Sequence, residues 1–154
     1  MVRLTDLPDV ERAHLLAKPC PAFETTPWTT PPPLDRTRLA IITTAGLTVR
    51  GDRPFGLSTG DYRVIPGDTD GSDLVMSHSS VNFDRSGFQQ DLNVVFPIDR
   101  CRERVADGTL GSLADFHYAF MGAALTAADY EPAARTLAGL LKKDHVDAVL
   151  LCPV

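Results

Sequence analysis

Arg38-Leu39-Ala40-Ile41-Ile42-Thr43-Thr44, closed by Ala45-Gly46, is a near-continuous apolar run with a turn signal at its end. Such a run predicts a strand buried on both faces, the kind found in parallel sheets, and parallel strands of that kind imply helices on both sides. Working outward, Tyr62 to Ile65 is a second strand, ended by Pro66-Gly67-Asp68. Asp73-Leu74-Val75-Met76-Ser77 is a third, and Phe116 to Met121 a fourth. Between the first two, Val49 to Gly60 carries four glycine or proline residues and reads as a loop. A helix is predicted from Phe96 to about Ala106, with Pro97 in its first turn and Ile98, Cys101 and Val105 on its core side. Asp129 is read as the cap of the next helix, Pro132 as part of its first turn, and Leu137, Leu140 and Leu141 as its inner face. Val146 to Val154 is a final buried strand.

Strands and helices alternate in the second half. The fold class expected is therefore α/β, with an open, mostly parallel Rossmann-like or flavodoxin-like sheet flanked by helices, incomplete at its last strand. Residues 1–37 are expected to form an extended, proline-rich N-terminal arm, with a short helix at 10–17 capped by Asp9. Phe23 and Trp28 would pin the arm to the surface, with ligand stacking by Trp28 as the alternative. Residues 38–154 would form the α/β domain.

The bulk composition narrows the function. The 154 residues carry a net charge of −5, which gives no basic face for nucleic acid. No apolar stretch is long enough to span a bilayer and the first residues do not resemble a signal peptide, so a cytoplasmic location is expected. Cys20, Cys101 and Cys152 are widely spaced and form no C-x-x-C pair, so neither a zinc knuckle nor a dithiol motif is read from them. There is no G-x-G-x-x-G after the first strand, no Walker pattern and no G-x-S-x-G elbow.

The densest polar cluster is Ser77-His78-Ser79-Ser80-Val81-Asn82-Phe83-Asp84, followed by Asp91-Leu92-Asn93. It follows a short apolar strand and so is expected at a strand's carboxyl end, where α/β sheets bind ligands. Ser77, His78, Ser79, Asn82, Asp91 and Asn93 are the candidate substrate-binding residues. His78 would act as acid, base or anion donor, and Ser77 and Ser79 as donors to a carboxylate. The competing reading is that these side chains close the loop on itself through Asx and Ser/Thr turns. A metal site from His78, Asp84, Asp91 and His117 is conceivable, but its spacing fits no ligand pattern. In His117-Tyr118 one side chain must face inward. Cys152 is a weak candidate nucleophile, and packing as a small apolar residue is its other reading.

Several of these pieces together resemble the selenoprotein B family of glycine, sarcosine, betaine and D-proline reductases. They are Thr43-Thr44-Ala45-Gly46-Leu47, Asp61-Tyr62-Arg63-Val64-Ile65-Pro66, Ser77-His78, and Asp91 to Arg100. Gly108 with Gly111, His117-Tyr118 with Met121-Gly122, and Gly139 to Val154 complete the set. The resemblance implies an oxidoreductase that cleaves a carbon–nitrogen or related carbon–heteroatom bond with a selenol or thiol nucleophile, recycled through a disulfide. It places that nucleophile just after Val154, and it implies selenocysteine in the full-length protein with no other cofactor. The expectation that follows is a chain terminated at a UGA codon; a natural short protein is the alternative. Expected partners are an amine-like or anionic small molecule, protein subunits of a reductase complex, and a second copy in a homo-oligomer. A non-catalytic anion- or partner-binding subunit and, more weakly, a metal-dependent hydrolase are the other functional readings.

Overall fold

The computed structural model describes residues 3–19, 22, 29–57, 59–80, 83–123 and 125–154. Its centre is β1 (Arg38–Thr43), the apolar run quoted above. Ala40 and Ile41 are fully buried. Along one edge β1 pairs in parallel with β7 (Ala148–Cys152) over five residues, from Leu39 opposite Ala148 to Thr43 opposite Cys152. Its other edge is shared end to end by two parallel strands: β5 (Ser112–Leu113) opposite Arg38 and Leu39, then β6 (Phe116–Phe120) opposite Ile42 and Thr43. β3 (Tyr62–Pro66) adds antiparallel to β6. The sheet is thus open and mostly parallel, in an α/β fold.

The handover from β5 to β6 leaves a notch in the ladder at Ile41, and a side chain fills it. His117 Nδ1 accepts the Ile41 backbone N–H at 3.1 Å. A buried backbone donor without a partner costs as much as a lost hydrogen bond, so this ring substitutes for a missing strand residue.

Because side chains alternate across a strand, β1 divides the core in two. Ile41 faces α3 (Ile98–Ala106), packed with Phe96, Ile98, Cys101, Ala119 and Met121. Ile42 faces α4 (Ala127–Lys143), with Tyr118, Phe120 and Leu137. His117 and Tyr118 are both buried, one on each face. Cys101 faces the core, as its helical spacing requires.

Local sequence explains the helix ends, with two shifts. α4 begins at Ala127: Thr126 is the N-cap, and Asp129 accepts from both its N–H and its hydroxyl at 2.7 Å. Asp129 is therefore the third helical residue rather than the cap, and Pro132 stands in the second turn. α3 begins at Ile98, one residue after Pro97, and its entry is fixed by Asn93, whose Oδ1 accepts the Asp99 N–H at 3.0 Å. At the amino ends of the strands Arg38 ties four segments together. It donates to Asp144 O and Leu113 O, both at 2.7 Å, and pairs with the carboxylates of Asp144 and Asp115.

One expectation needs correction, and two elements add to the sequence reading. β7 is not a doubly buried strand: Val149, Leu150 and Leu151 are 37%, 36% and 66% exposed, because β1 covers one of its edges and no described strand pairs with the other. A strand the sequence reading does not include, β2 (Leu47–Val49), ends where the expected loop begins and pairs antiparallel with β4 (Leu74–Met76) in a separate two-stranded ladder. The polar segment at 78–93 contains α2 (Ser86–Gln90). Near the start, α1 spans Asp9–Leu16 and buries no residue, with Asp9 inside the helix rather than at its cap. Trp28, Phe23 and Cys20 lie outside the described residues. Among the described residues no helix is long and apolar enough to cross a membrane.

Candidate functional site

The carboxyl ends of β1, β6 and β7 meet on one shelf. Thr44 N–H donates to Cys152 O at 3.1 Å, and Gly122 N–H donates to Thr44 O at 2.9 Å. The Thr44 hydroxyl clasps Val154 both ways, accepting from its N–H at 2.8 Å and donating to its O at 3.3 Å. Gly46 closes the shelf: its N–H donates to Phe120 O at 2.8 Å, and its O accepts from Ser77 N–H at 2.9 Å and Ser77 Oγ at 3.1 Å. Its φ is +66°, and a Cβ there would lie 3.0 Å from His78 Cα. Only glycine takes that conformation cheaply and lets the His78 backbone approach so closely.

So the Ser77-His78-Ser79 segment does reach the carboxyl end of the parallel strands, but through Gly46 rather than as the end of a strand in that sheet. Ser77 Oγ also accepts Phe55 N–H at 3.2 Å, and Ser79 Oγ donates to Met121 Sδ at 3.0 Å. His78 is buried, its ring 5.0 Å from that of Phe83. Its Nδ1 accepts Ser80 N–H at 3.1 Å, which fixes the proton of the neutral ring on Nε2. That Nε2–H is buried and has no hydrogen-bond partner among the described residues. Burial, with help from the nearby Arg85 guanidinium, holds the His78 pKa below its ordinary value. His78 is thus a neutral donor at neutral pH, not a cation.

The other sequence candidates go elsewhere. Asp91 accepts from Asn93 N–H at 2.9 Å and Asn93 Nδ2 at 2.8 Å, and Asn93 in turn holds Asp99. Both are committed to the turn that starts α3, which is the loop-closing reading. Asp84 similarly accepts from Ser86 N–H at 2.9 Å. Asn82 lies outside the described residues. His117 is sealed beneath β1, and burial lowers its pKa from 6.5 to about 4. Among the described residues no three histidine, cysteine or acidic side chains converge as metal ligands, so the group His78, Asp84, Asp91 and His117 does not assemble. Burial pushes the thiols of Cys101 and Cys152 up from the ordinary thiol value.

Residues 19–154 match the family model described as glycine/sarcosine/betaine reductase selenoprotein B. The chain belongs to this family. As a selenoprotein B family member it is 35% identical, over 133 residues, to the D-proline reductase subunit gamma of Acetoanaerobium sticklandii; the match covers 79% of this chain and 54% of that protein. It is 32% identical over 140 residues to a glycine reductase complex component B subunit gamma of Symbiobacterium thermophilum, covering 86% of this chain and 32% of that one. A protein of the same description from Carboxydothermus hydrogenoformans is 32% identical over 142 residues, with the same shares. The chain therefore spans about half the length of the first relative and about a third of the other two. No solved structure gives a significant match.

Sequence reasoning missed three contributors to the family member's shelf. Thr44 carried a signal, a hydroxyl residue at the end of an apolar strand. Gly46 carried another, a glycine directly after it. Arg85, which donates to His78 O at 2.6 Å and to Ser80 O at 3.2 Å, stood in a polar loop with nothing to mark it.

Proposed function

We propose that this chain is the scaffold and substrate-recognition part of an oxidoreductase that cleaves a carbon–nitrogen, or related carbon–heteroatom, bond reductively. The observation that carries the reading is the shelf itself: the ends of three parallel strands, the Ser77-His78-Ser79 segment and Val154 meet at Thr44 and Gly46. The reactive group in this reading is a selenol or thiol following Val154, with selenocysteine as the residue and no other cofactor. Such a chalcogen, ionised at neutral pH, attacks the carbon bearing the nitrogen, which leaves with the bonding electron pair. A second thiolate then attacks the chalcogen; the carbon–chalcogen bond breaks with its electron pair going to carbon, which takes a proton and leaves as the reduced product, and the chalcogen–sulfur bond formed is reduced by an external dithiol, itself oxidised to a disulfide.

The residues of this chain bind and orient. The unpaired Nε2–H of His78 receives the substrate's carboxylate or other polar end. The serines beside it hold the backbone that presents the ring. Because His78 is neutral, it places a donor at the site without neutralising a nearby chalcogen anion. Protein subunits of a reductase complex are the expected partners, since all three relatives are named as subunits and two as components of a complex.

The test is a polypeptide read past Val154, with cysteine or selenocysteine at the next codon. It is assayed with glycine, sarcosine, betaine and D-proline and a dithiol reductant. Amine release or ring opening is expected from one of them, and His78→Leu should raise KM at least tenfold. Turnover by residues 1–154 alone with every thiol alkylated would overturn the reading. A second reading is a non-catalytic subunit that binds a small anion or a partner; the raised pKa of both described thiols, which burial causes, is in keeping with it. Binding of the same four compounds without turnover, in the extended polypeptide together with its reductant, would favour it.

A further inference from the structure

The α4 side of the sheet is covered over only part of its width. α4 seals β6 and β3, where Leu137 packs with Tyr118 and Phe120 and Tyr62 lies against them. Towards β7 the cover stops, and an apolar groove of about 290 Å³ opens, lined among others by Ile42, Ala134, Ala138, Leu141 and Leu151. Leu151 is 66% exposed there. The groove runs into the free edge of β7, whose outward backbone groups no described strand takes.

Three features identify the occupant. Ala134, Ala138 and Leu141 follow one another at helical spacing, and the two alanines make a low ridge against which a second helix can approach to about 8–10 Å between axes. Chain handedness gives the position. The connection β6–α4–β7 steps over β1 towards the open side with its helix on this face. A further step in the same direction, to a new parallel strand outside β7, is right-handed only if its helix lies on the same face. That helix falls in the groove beside α4. The third feature is the point of departure: Thr44, which clasps Val154, also lines the groove, so a chain leaving Val154 starts at its mouth. The relatives have the length for such a unit, since this chain accounts for only 54% and 32% of them.

We propose that the groove beside α4 and the free edge of β7 seat a helix followed by a parallel strand of the same polypeptide, continuing from Val154. The proposal shares with the reductase reading only the existence of that continuation.

The experiment compares residues 1–154 with the gene product read past Val154, cysteine standing at the next codon, by hydrogen exchange with mass spectrometry and by light scattering. The amides of Ala148–Cys152 not bonded to β1 should exchange at least tenfold more slowly in the extended protein. Leu151→Arg should lower the Tm of the extended protein and leave that of residues 1–154 unchanged. If the extended variant does not fold, exchange in the two unmutated proteins decides. Equal exchange in both proteins overturns the proposal, as does the absence of any open frame after Val154. A stable dimer of residues 1–154 with β7 already protected overturns it too, in favour of a second copy. An extended protein that protects β7 but turns over nothing counts against the reductase reading alone, and an active one with β7 unprotected counts against this proposal alone.

Discussion

Acid should weaken this fold through His117 before any carboxylate is protonated. The ring is fully buried, its Nδ1 takes the Ile41 N–H, and its Nε2–H has no partner among the described residues, so a second proton would place a charge among Phe96, Ile41 and the strand backbones. Burial lowers its pKa from 6.5 to about 4. The unfolded chain then binds the proton more readily than the folded one, and stability is lost as pH falls below 6.5 towards 4. With those two values the loss is about 0.2 kcal/mol at pH 7 and about 2 kcal/mol at pH 5, approaching about 3 kcal/mol below pH 4. His78, also held below its ordinary value, adds in the same direction. Urea unfolding at pH 7, 6 and 5 should show this fall in the wild type. In His117→Gln the difference between pH 7 and pH 5 should shrink by about 2 kcal/mol, whatever offset the substitution itself brings. The range stops above the carboxylate pKa values, so Asp144 and the turn aspartates do not contribute. An unchanged difference in the variant would refute the claim that the buried ring carries the effect.

Arg38→Ala should destabilise by about 1–2 kcal/mol in urea, because it leaves the half-buried Asp144 without its cation, and Arg38→Lys should not restore the loss since one ammonium cannot reach all four acceptors. Gly46→Ala should cost about 1–3 kcal/mol, read as a lowered Tm, through its positive φ and the contact with His78. Thr44→Val removes both bonds to Val154 and should cost about 1–2 kcal/mol, with faster amide exchange confined to the end of β7. His78→Leu should stay within about 1 kcal/mol of wild-type stability, because the loss of the bond from Ser80 N–H to Nδ1 is offset by removal of a buried donor that has no partner among the described residues.

The central strand was legible because Leu39 to Ile42 is apolar on both faces, as a doubly covered strand is expected to be. The same logic failed at β7. Val149, Leu150 and Leu151 are as apolar as β1, but apolar side chains report what a strand can bury, not which of its edges and faces this stretch of chain covers. β2 was missed because three residues carry no periodicity, and its partner β4 was read correctly as a strand but placed in the wrong ladder. At the site, the position of His78 was legible from the polar run after an apolar strand. For Asp91 and Asn93 the sequence offers the loop-closing reading beside ligand binding, since the residue types that bind polar ligands are also those that cap helices, and only the structure supplies the neighbour, Asp99, that Asn93 holds.

The pairing of β1 with β7 joins residues about 110 positions apart, Leu39 with Ala148. At ribosomal rates of about 5–20 residues per second, the earlier strand emerges roughly 5–20 s before the later one exists. Through that interval a fully apolar segment waits with one flank bare, and its other flank fills only as Ser112–Leu113 and Phe116–Phe120 arrive. Nascent-chain yield should therefore depend on holdase chaperones, and a pause engineered between codons 120 and 145 should increase aggregation during synthesis.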